Sequence, residues 1–245
     1  MTTADYRFWE IDLLRGIAVI MMIVFHVLYD LYFFNIFKIV LYSGFLLWYV
    51  YSIGLIFILL VGICLTLSYT KAKKKLTKKE VKLKFLFRGI KIFVLGLVIT
   101  FATFLYLPKG FILFGVLHCI GISIILAYPF LQLHIQNLLF GVILISAGLY
   151  LKTFTVNFPW LIWLGFTPRQ FYTVDYFPLL PWFGVILIGI FIGNKLYSGY
   201  KRRFNLIDLS RFRFVRSLCF IGRHSLIIYF LHQPIIIMLL YIFLL

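Results

Sequence analysis

Four of the ionisable side chains in one apolar stretch near the start of the chain could carry out acid–base chemistry. They are Asp12, Arg15, His26 and Asp30, in the segment EIDLLRGIAVIMMIVFHVLYD. If this segment is a helix, Arg15 and His26 are about three turns apart and lie on nearly the same face, about 16 Å apart along the axis. Asp12 lies three residues before Arg15, and Asp30 lies four after His26, and at both spacings helix side chains meet. The pattern predicts one polar stripe that faces other helices or a water-filled passage, because charges in hydrocarbon are costly.

This stripe has a catalytic and a structural interpretation. A carboxylate one turn from a histidine can hold one tautomer and raise its basicity, so Asp30 could orient His26 as a general base for attack on a thioester or a carbonyl. Arg15 could hold a phosphate or an acidic partner by paired hydrogen bonds. Alternatively, Asp12 and Arg15 form an interfacial ion pair, and His26 and Asp30 form a buried pair that fixes helix packing.

The composition of the chain indicates where such a stripe must lie. Hydrophobic residues make up 64% of the 245 residues and aromatic residues 20%, with a mean hydropathy of +1.06. Soluble domains contain roughly 45–50% apolar residues. The sequence therefore predicts an all-α, polytopic membrane helix bundle that forms one domain over residues 1–245, without a water-soluble domain.

Apolar periodicity predicts about seven transmembrane helices. Their predicted bounds are 10–34, 43–70, 85–107, 111–131, 135–152, 178–197 and 218–245. Pro159 and Pro168 interrupt the apolar segment 153–177, which is predicted to be an external loop or a re-entrant hairpin, with an eighth span as the weaker alternative.

The distribution of basic residues predicts the orientation. The net charge of +17 is concentrated in lysines and arginines of residues 71–84 and 201–216. Both clusters lie beside apolar spans, which favours cytoplasmic loops over a nucleic-acid site. The N-terminus is then cytoplasmic and the C-terminus outside. Attraction to anionic membrane lipid would by itself account for both clusters.

Four segments carry a family resemblance. They are FWEIDLLRGIAVIMMIVFHVLYD at 8–30, RGIKIFVLGLVIT at 88–100, GVLHCIG at 115–121 and GRHSLIIYFLHQP at 222–234. In this order along the chain, they resemble the catalytic-domain-like family of heparan-alpha-glucosaminide N-acetyltransferase. The interval from Arg15 to His26 also resembles the related acyltransferase-3 proteins.

The resemblance implies a multi-pass enzyme of the cell (plasma) membrane that takes an acetyl or acyl group from cytosolic acyl-coenzyme A. The acceptor implied is a sugar amine or hydroxyl, on a glycan or glycolipid, across the membrane. His26 is then the candidate base with Asp30 as its partner, while Arg15, Arg88 and Asp12 are candidates for the coenzyme site. Some members instead have asparagine at the His26 position and a histidine in the first external loop, but residues 35–43 contain none.

Three further candidates lie in later apolar segments. His118, in GVLHCIG beside Cys119, is predicted to pack in the core or to contact the coenzyme, because a metal site needs more ligands than these two. His232 matches the histidine of the terminal signature and is a secondary site candidate together with Ser225. No metal site is predicted.

Two other classes of function stay open at this stage. One is a transporter or proton-coupled carrier in which His26 and Asp30 form a relay, although no repeated halves are visible in the sequence. The other is a structural membrane protein without chemistry. A homodimer is an open possibility.

Overall fold

The computed structural model describes residues 7–38, 40–41, 43–107 and 109–244. These residues form an all-α structure, as predicted. The helices are α1 (Trp9–Phe33), α2 (Gly44–Lys73), α3 (Lys78–Tyr106), α4 (Val116–Leu126), α5 (Ile135–Leu151), α6 (Leu179–Leu196), α7 (Arg213–Arg223) and α8 (Ser225–Phe243). Two-residue strands, β1 (Thr155–Val156) and β2 (Thr167–Pro168), pair in parallel.

Five of the described helices, α1, α2, α3, α6 and α8, are long and apolar enough to cross a membrane. Apolar helices α4 and α5 are shorter, with 11 and 17 residues. Predicted span 111–131 is thus a short helix preceded by extended chain and followed by a 3₁₀ turn, Tyr128–Gln132. The count of seven spans and the sides of the termini stay predictions, and residues 1–6 and 245 lie outside the described residues.

The last predicted span, 218–245, is two helices rather than one. The chain leaves helical geometry at His224 (φ −101°, ψ 15°), which ends α7 and precedes α8. The two helices differ in character, because α7 carries three arginines whereas α8 is apolar apart from a short polar group of residues. Apolar periodicity runs through the junction, so the sequence pattern did not reveal the break. Segment 153–177 contains β1 and β2 and no α-helix.

The chain divides into two compact units. Unit 1 comprises the described residues of Met1–Phe57 and Leu206–Leu245, and unit 2 is Ile58–Asn205. Unit 1 therefore combines the beginning of the chain with its last two helices. The prediction of a single domain over residues 1–245 concerns both units together and stays a prediction.

Helices α1 and α7 of unit 1 pack with their backbones in close approach. A methyl group added to Gly16 would overlap the carbonyl oxygen of Leu218, and one added to Gly222 would overlap that of Asp12. Small residues at such contacts are typical of helix pairs in membranes, where close backbone approach replaces hydrophobic driving force. The two glycines therefore fix how α7 lies on α1.

Unit 2 has the main apolar core, between α2, α3, α4, α5 and α6. Its fully buried side chains include Ile58, Leu65, Phe85, Ile186 and Ile190. The buried hydroxyl of Thr66 donates to the carbonyl oxygens of Gly62 (3.3 Å) and Ile190 (3.3 Å), so this polar group is satisfied within the core.

Candidate active site

The polar stripe predicted for α1 is present, and its first pair joins α1 to α7. Asp12 is buried. Nη1 of Arg15 donates to Oδ1 of Asp12 at 3.1 Å and to the carbonyl oxygen of Gly222 at 3.3 Å. The guanidinium therefore bridges the two helices where their backbones are closest. This is the ion pair of the structural interpretation, with an added bond to α7.

A cationic cavity lies in unit 1 beside this pair. It has a volume of about 130 Å³ and is lined by Arg7, Trp9, Asp12, Ser210, Arg216, Cys219 and Arg223. Three arginines face one carboxylate there, and Nε of Arg7 pairs with Oδ2 of Asp12 at 3.1 Å. At about 30 Å³ per water molecule, the space holds about four waters or one group of phosphate size. The chemistry is that of an anion site, because arginine binds phosphate and carboxylate groups strongly.

The surroundings of the thiol in this cavity disfavour its thiolate form. Burial, and next the nearby Asp12, raise the pKa of Cys219, and its Sγ donates to the carbonyl oxygen of Trp9 at 3.3 Å. Since the thiolate is the reactive form of cysteine, this shift disfavours a nucleophilic role.

Further along α1, Asp30 is bound to α8. The residue is 3% exposed, and both carboxylate oxygens accept hydrogen bonds from Nε2 of Gln233, at 2.8 and 2.9 Å. The sequence suggested that Asp30 orients His26, but its hydrogen-bond partner is Gln233. Residues one helical turn apart can meet, yet a buried donor on a neighbouring helix competes for the same carboxylate.

His26 lies against His232. The two rings are 4.7 Å apart between centroids at an angle of 66°, edge to face. His232 is buried, and its Nδ1 lies 2.7 Å from the carbonyl oxygen of Tyr229. Two histidines that were singled out separately in the sequence are thus neighbours across α1 and α8. Ser225 begins α8, about 10 Å along the axis from His232, and lies apart from this pair.

The candidates of unit 2 have different surroundings. His118 is 2% exposed, its Nδ1 accepts the backbone N–H of Gly115 at 3.3 Å, and its Nε2 lies 3.3 Å from Oγ1 of Thr100. Both ring nitrogens are therefore in use, as expected for a packing histidine. Arg88 is an exposed residue of α3.

Sequence reasoning overlooked Asp175, which lies in the loop before α6. Its Oδ2 accepts the backbone N–H of Val116, the first residue of α4, at 3.2 Å. Burial raises the pKa of Asp175 to about 6, although the hydrogen bond from Val116 acts in the opposite direction. A carboxylate at this place satisfies one of the free N–H groups of the helix terminus. The available signal was a lone acidic residue in an apolar loop.

The profile of the family described as "Heparan-alpha-glucosaminide N-acetyltransferase, catalytic" matches residues 7–234. The chain belongs to this family. The match includes both compact units and confirms the resemblance inferred from the four segments. No curated protein and no solved structure matches the chain.

Membership of the heparan-alpha-glucosaminide N-acetyltransferase family makes the protein a transferase, and its long apolar helices make it an integral membrane protein. The residues that perform the transfer stay predictions. Among the described residues, no three histidine, cysteine or acidic side chains cluster as metal ligands. Among the described residues of unit 1, the arginine cavity and the His26–His232 contact are places where ligand chemistry is available.

Proposed function

We propose that the protein transfers an acetyl or acyl group from cytosolic acyl-coenzyme A to an amine or hydroxyl of a sugar acceptor across the membrane, with His26 as general base. The observation that carries the proposal is the contact of His26 with His232 on the polar stripe of α1, in a member of an N-acetyltransferase family. Titratable residues inside apolar helices are costly to bury, and where they occur they commonly mark a functional site.

The donor end of the reaction is assigned to the arginines. Coenzyme A carries a 3′-phosphate and a pyrophosphate, and the cavity between Arg7, Arg216 and Arg223 fits one phosphate group. Arg15 bridges α1 and α7 beside the cavity. Its proposed role is therefore to hold together the two helices that line the cavity, rather than to bind the coenzyme. Asp12 pairs with both Arg7 and Arg15 there. Arg88, on α3 of unit 2, stays a coenzyme candidate from the sequence motif alone.

The chemical step follows from the residue types. The acceptor nitrogen or oxygen attacks the thioester carbonyl carbon while a ring nitrogen of His26 takes the proton from it. The tetrahedral intermediate then collapses, the carbon–sulfur bond breaks, and the coenzyme leaves as a thiolate that accepts the proton back from the imidazolium. His26 ends the cycle neutral, which is the requirement for a base that turns over.

The proposed function also requires one orientation of the protein in the membrane, with its N-terminus in the cytosol and its C-terminus outside. With residues 71–84 and 201–216 in the cytosol, the donor cavity faces the compartment that contains acyl-coenzyme A. The acceptor is then a sugar, glycan or glycolipid on the other side of the cell membrane.

The test is acyl transfer from labelled acetyl-coenzyme A to glucosamine by purified protein in liposomes. General-base catalysis contributes about 10²–10⁴ in rate, so His26→Ala should lose that much kcat. Stabilisation of the variant by coenzyme A should stay at the wild-type level. His134→Ala, in an exposed turn before α5, is the matched control and should retain activity. Near wild-type turnover in His26→Ala would refute the assignment of the base.

A further inference from the structure

Two buried hydrogen-bond acceptors of α8 lack a donor among the described residues. They are Nε2 of His232 and Oε1 of Gln233. A buried polar atom without a partner costs about 1–3 kcal/mol, so such atoms are few in folded proteins. Two such acceptors on adjacent residues indicate a site at which a ligand donates hydrogen bonds.

The chemistry of both atoms is determined by their surroundings. A carbonyl oxygen can only accept, so Nδ1 of His232 carries the hydrogen that faces Tyr229, and in the neutral ring Nε2 is an acceptor. Similarly, the amide nitrogen of Gln233 must face the carboxylate of Asp30, which leaves Oε1 as a free acceptor. The ligand must therefore bring hydrogen-bond donors, and an anion such as phosphate does not fit.

The place of His232 beside His26 connects these acceptors with the reaction. The imidazole rings of His232 and His26 are 4.7 Å apart between centroids. A ligand group that donates a hydrogen bond to Nε2 of His232 would therefore lie close to the base. Amino and hydroxyl groups are the nucleophiles that an acyl group can be transferred to, and both donate hydrogen bonds. Asp30 accepts both hydrogen bonds from Nε2 of Gln233 and so determines which way Oε1 of Gln233 points.

We propose that Nε2 of His232 and Oε1 of Gln233 form the acceptor subsite and receive two donors of an amino sugar or polyol, next to His26. The inference rests on the proposed function, because it identifies the atoms that bind the acceptor of the proposed acyl transfer. Glucosamine, which has an amine flanked by hydroxyl groups, is the probe.

The test uses two substitutions at one position. In His232→Asn the side-chain amide nitrogen replaces Nδ1 and can still donate to Tyr229, but no atom remains at the place of Nε2. In His232→Gln an amide group lies near the Nε2 position. We expect His232→Asn to raise the KM for glucosamine about ten-fold, the effect of about 1.4 kcal/mol, with the KM for acetyl-coenzyme A unchanged. His232→Gln should retain most of the acceptor affinity.

A paired replacement tests Gln233 without stranding a charge. The double variant Asp30→Leu with Gln233→Met removes both partners of the buried pair together with Oε1, which avoids the cost of an unpaired buried carboxylate. Its KM for glucosamine should also rise, while that for acetyl-coenzyme A should not. A glucosamine KM that is unchanged in His232→Asn, or a KM that rises equally for both substrates, overturns the subsite.

Binding without a donor separates this inference from the proposed function. Glucosamine alone should raise the melting temperature of the wild-type protein but not that of His232→Asn. If the wild type transfers no acyl group, the proposed function fails, and this binding comparison still judges the subsite. Equal stabilisation of both proteins by glucosamine would place its binding elsewhere.

Discussion

Asp175 shows how a single buried carboxylate can make a loop sensitive to pH. It lies outside the membrane-spanning helices and holds the first N–H of α4. Its pKa is raised by burial to about 6, above the ordinary value of 3.8. The folded chain therefore holds this proton more tightly than the unfolded chain, and stability must fall as pH rises through the window between these values.

The first prediction concerns this residue. Between pH 4 and pH 7 the stabilising effect of the proton on Asp175 is lost, since folding favours the protonated form. We expect the melting temperature of the wild type to fall over this range, relative to that of Asp175→Asn, which is neutral throughout and can still accept from Val116. Thermal unfolding in detergent at both pH values measures the difference. Parallel pH profiles would show that this carboxylate is not the titrating group.

Individual arginines can be compared in the cationic cavity. Arg216 and Arg223 line it, whereas Arg213, on the same helix, does not. Charge-assisted hydrogen bonds contribute about 1.5–3 kcal/mol where solvent is partly excluded, so Arg216→Ala or Arg223→Ala should weaken coenzyme A binding about ten-fold. The matched control, Arg213→Ala, should bind as the wild type does.

Binding titrations with coenzyme A and with dephospho-coenzyme A identify which phosphate of the coenzyme the cavity holds. If the cavity holds the 3′-phosphate, dephospho-coenzyme A should bind the wild type and Arg223→Ala equally weakly. Arg88→Ala, the candidate from the sequence motif, should weaken both ligands if Arg88 contacts the pyrophosphate. Coenzyme A affinities that are the same in the wild type, Arg216→Ala, Arg223→Ala and Arg88→Ala would remove these arginines from the donor site.

At the scale of elements, the contact between α1 and α7 is the most constrained feature of unit 1. Gly16 and Gly222 leave no room for a Cβ, and the atoms in the way are backbone carbonyl oxygens. Since backbone cannot adopt another rotamer, the helices themselves must move apart. The bond from Arg15 to Gly222 would lengthen with them.

This leads to a prediction for the helix pair. Gly222→Ala should cost about 1–3 kcal/mol of stability, the usual range for overpacking, and should weaken coenzyme A binding because α7 carries two arginines of the cavity. Gly199→Asn is the control, because Gly199 has open space around it and a φ of +66° that asparagine tolerates. Melting temperatures and coenzyme A affinities of both variants measure the effects. A Gly222→Ala protein as stable as the control would contradict the close contact.

The elements also show what a sequence can reveal. Helices α1, α2, α3, α5 and α6 follow from apolar runs, and the polar stripe of α1 follows from helical spacing. The break at His224 and the pairing of Asp30 with Gln233 depend on which helices become neighbours, and periodicity within one helix carries no information on that. The contact of His26 with His232 is of the same kind, although each histidine was identified separately.

At the scale of the whole molecule, the positions of the basic clusters make the orientation testable. If residues 71–84 lie in the cytosol, the cysteine introduced by Lys75→Cys should be protected in intact cells from a thiol reagent that cannot cross membranes. A cysteine at Trp160, which is 70% exposed in segment 153–177, should react. Permeabilised cells provide the control, since both positions should then be labelled. The reverse pattern would invert the sides assigned to donor and acceptor.

Unit 1 combines α1, near the start of the chain, with α7 and α8, near its end, and this has a consequence for biosynthesis. Helix α1 leaves the ribosome first among the described helices, while its partners α7 and α8 leave last. Throughout translation of residues 58–205, Asp12, Arg15 and Asp30 reside in or near the bilayer without Gly222 or Gln233. During this time Asp12 and Arg15 can already pair within α1, whereas Asp30 lacks the donor that satisfies it in the folded chain. A ribosome that stalls before α7 therefore releases a product whose first helix carries the carboxylate of Asp30 without the amide of Gln233.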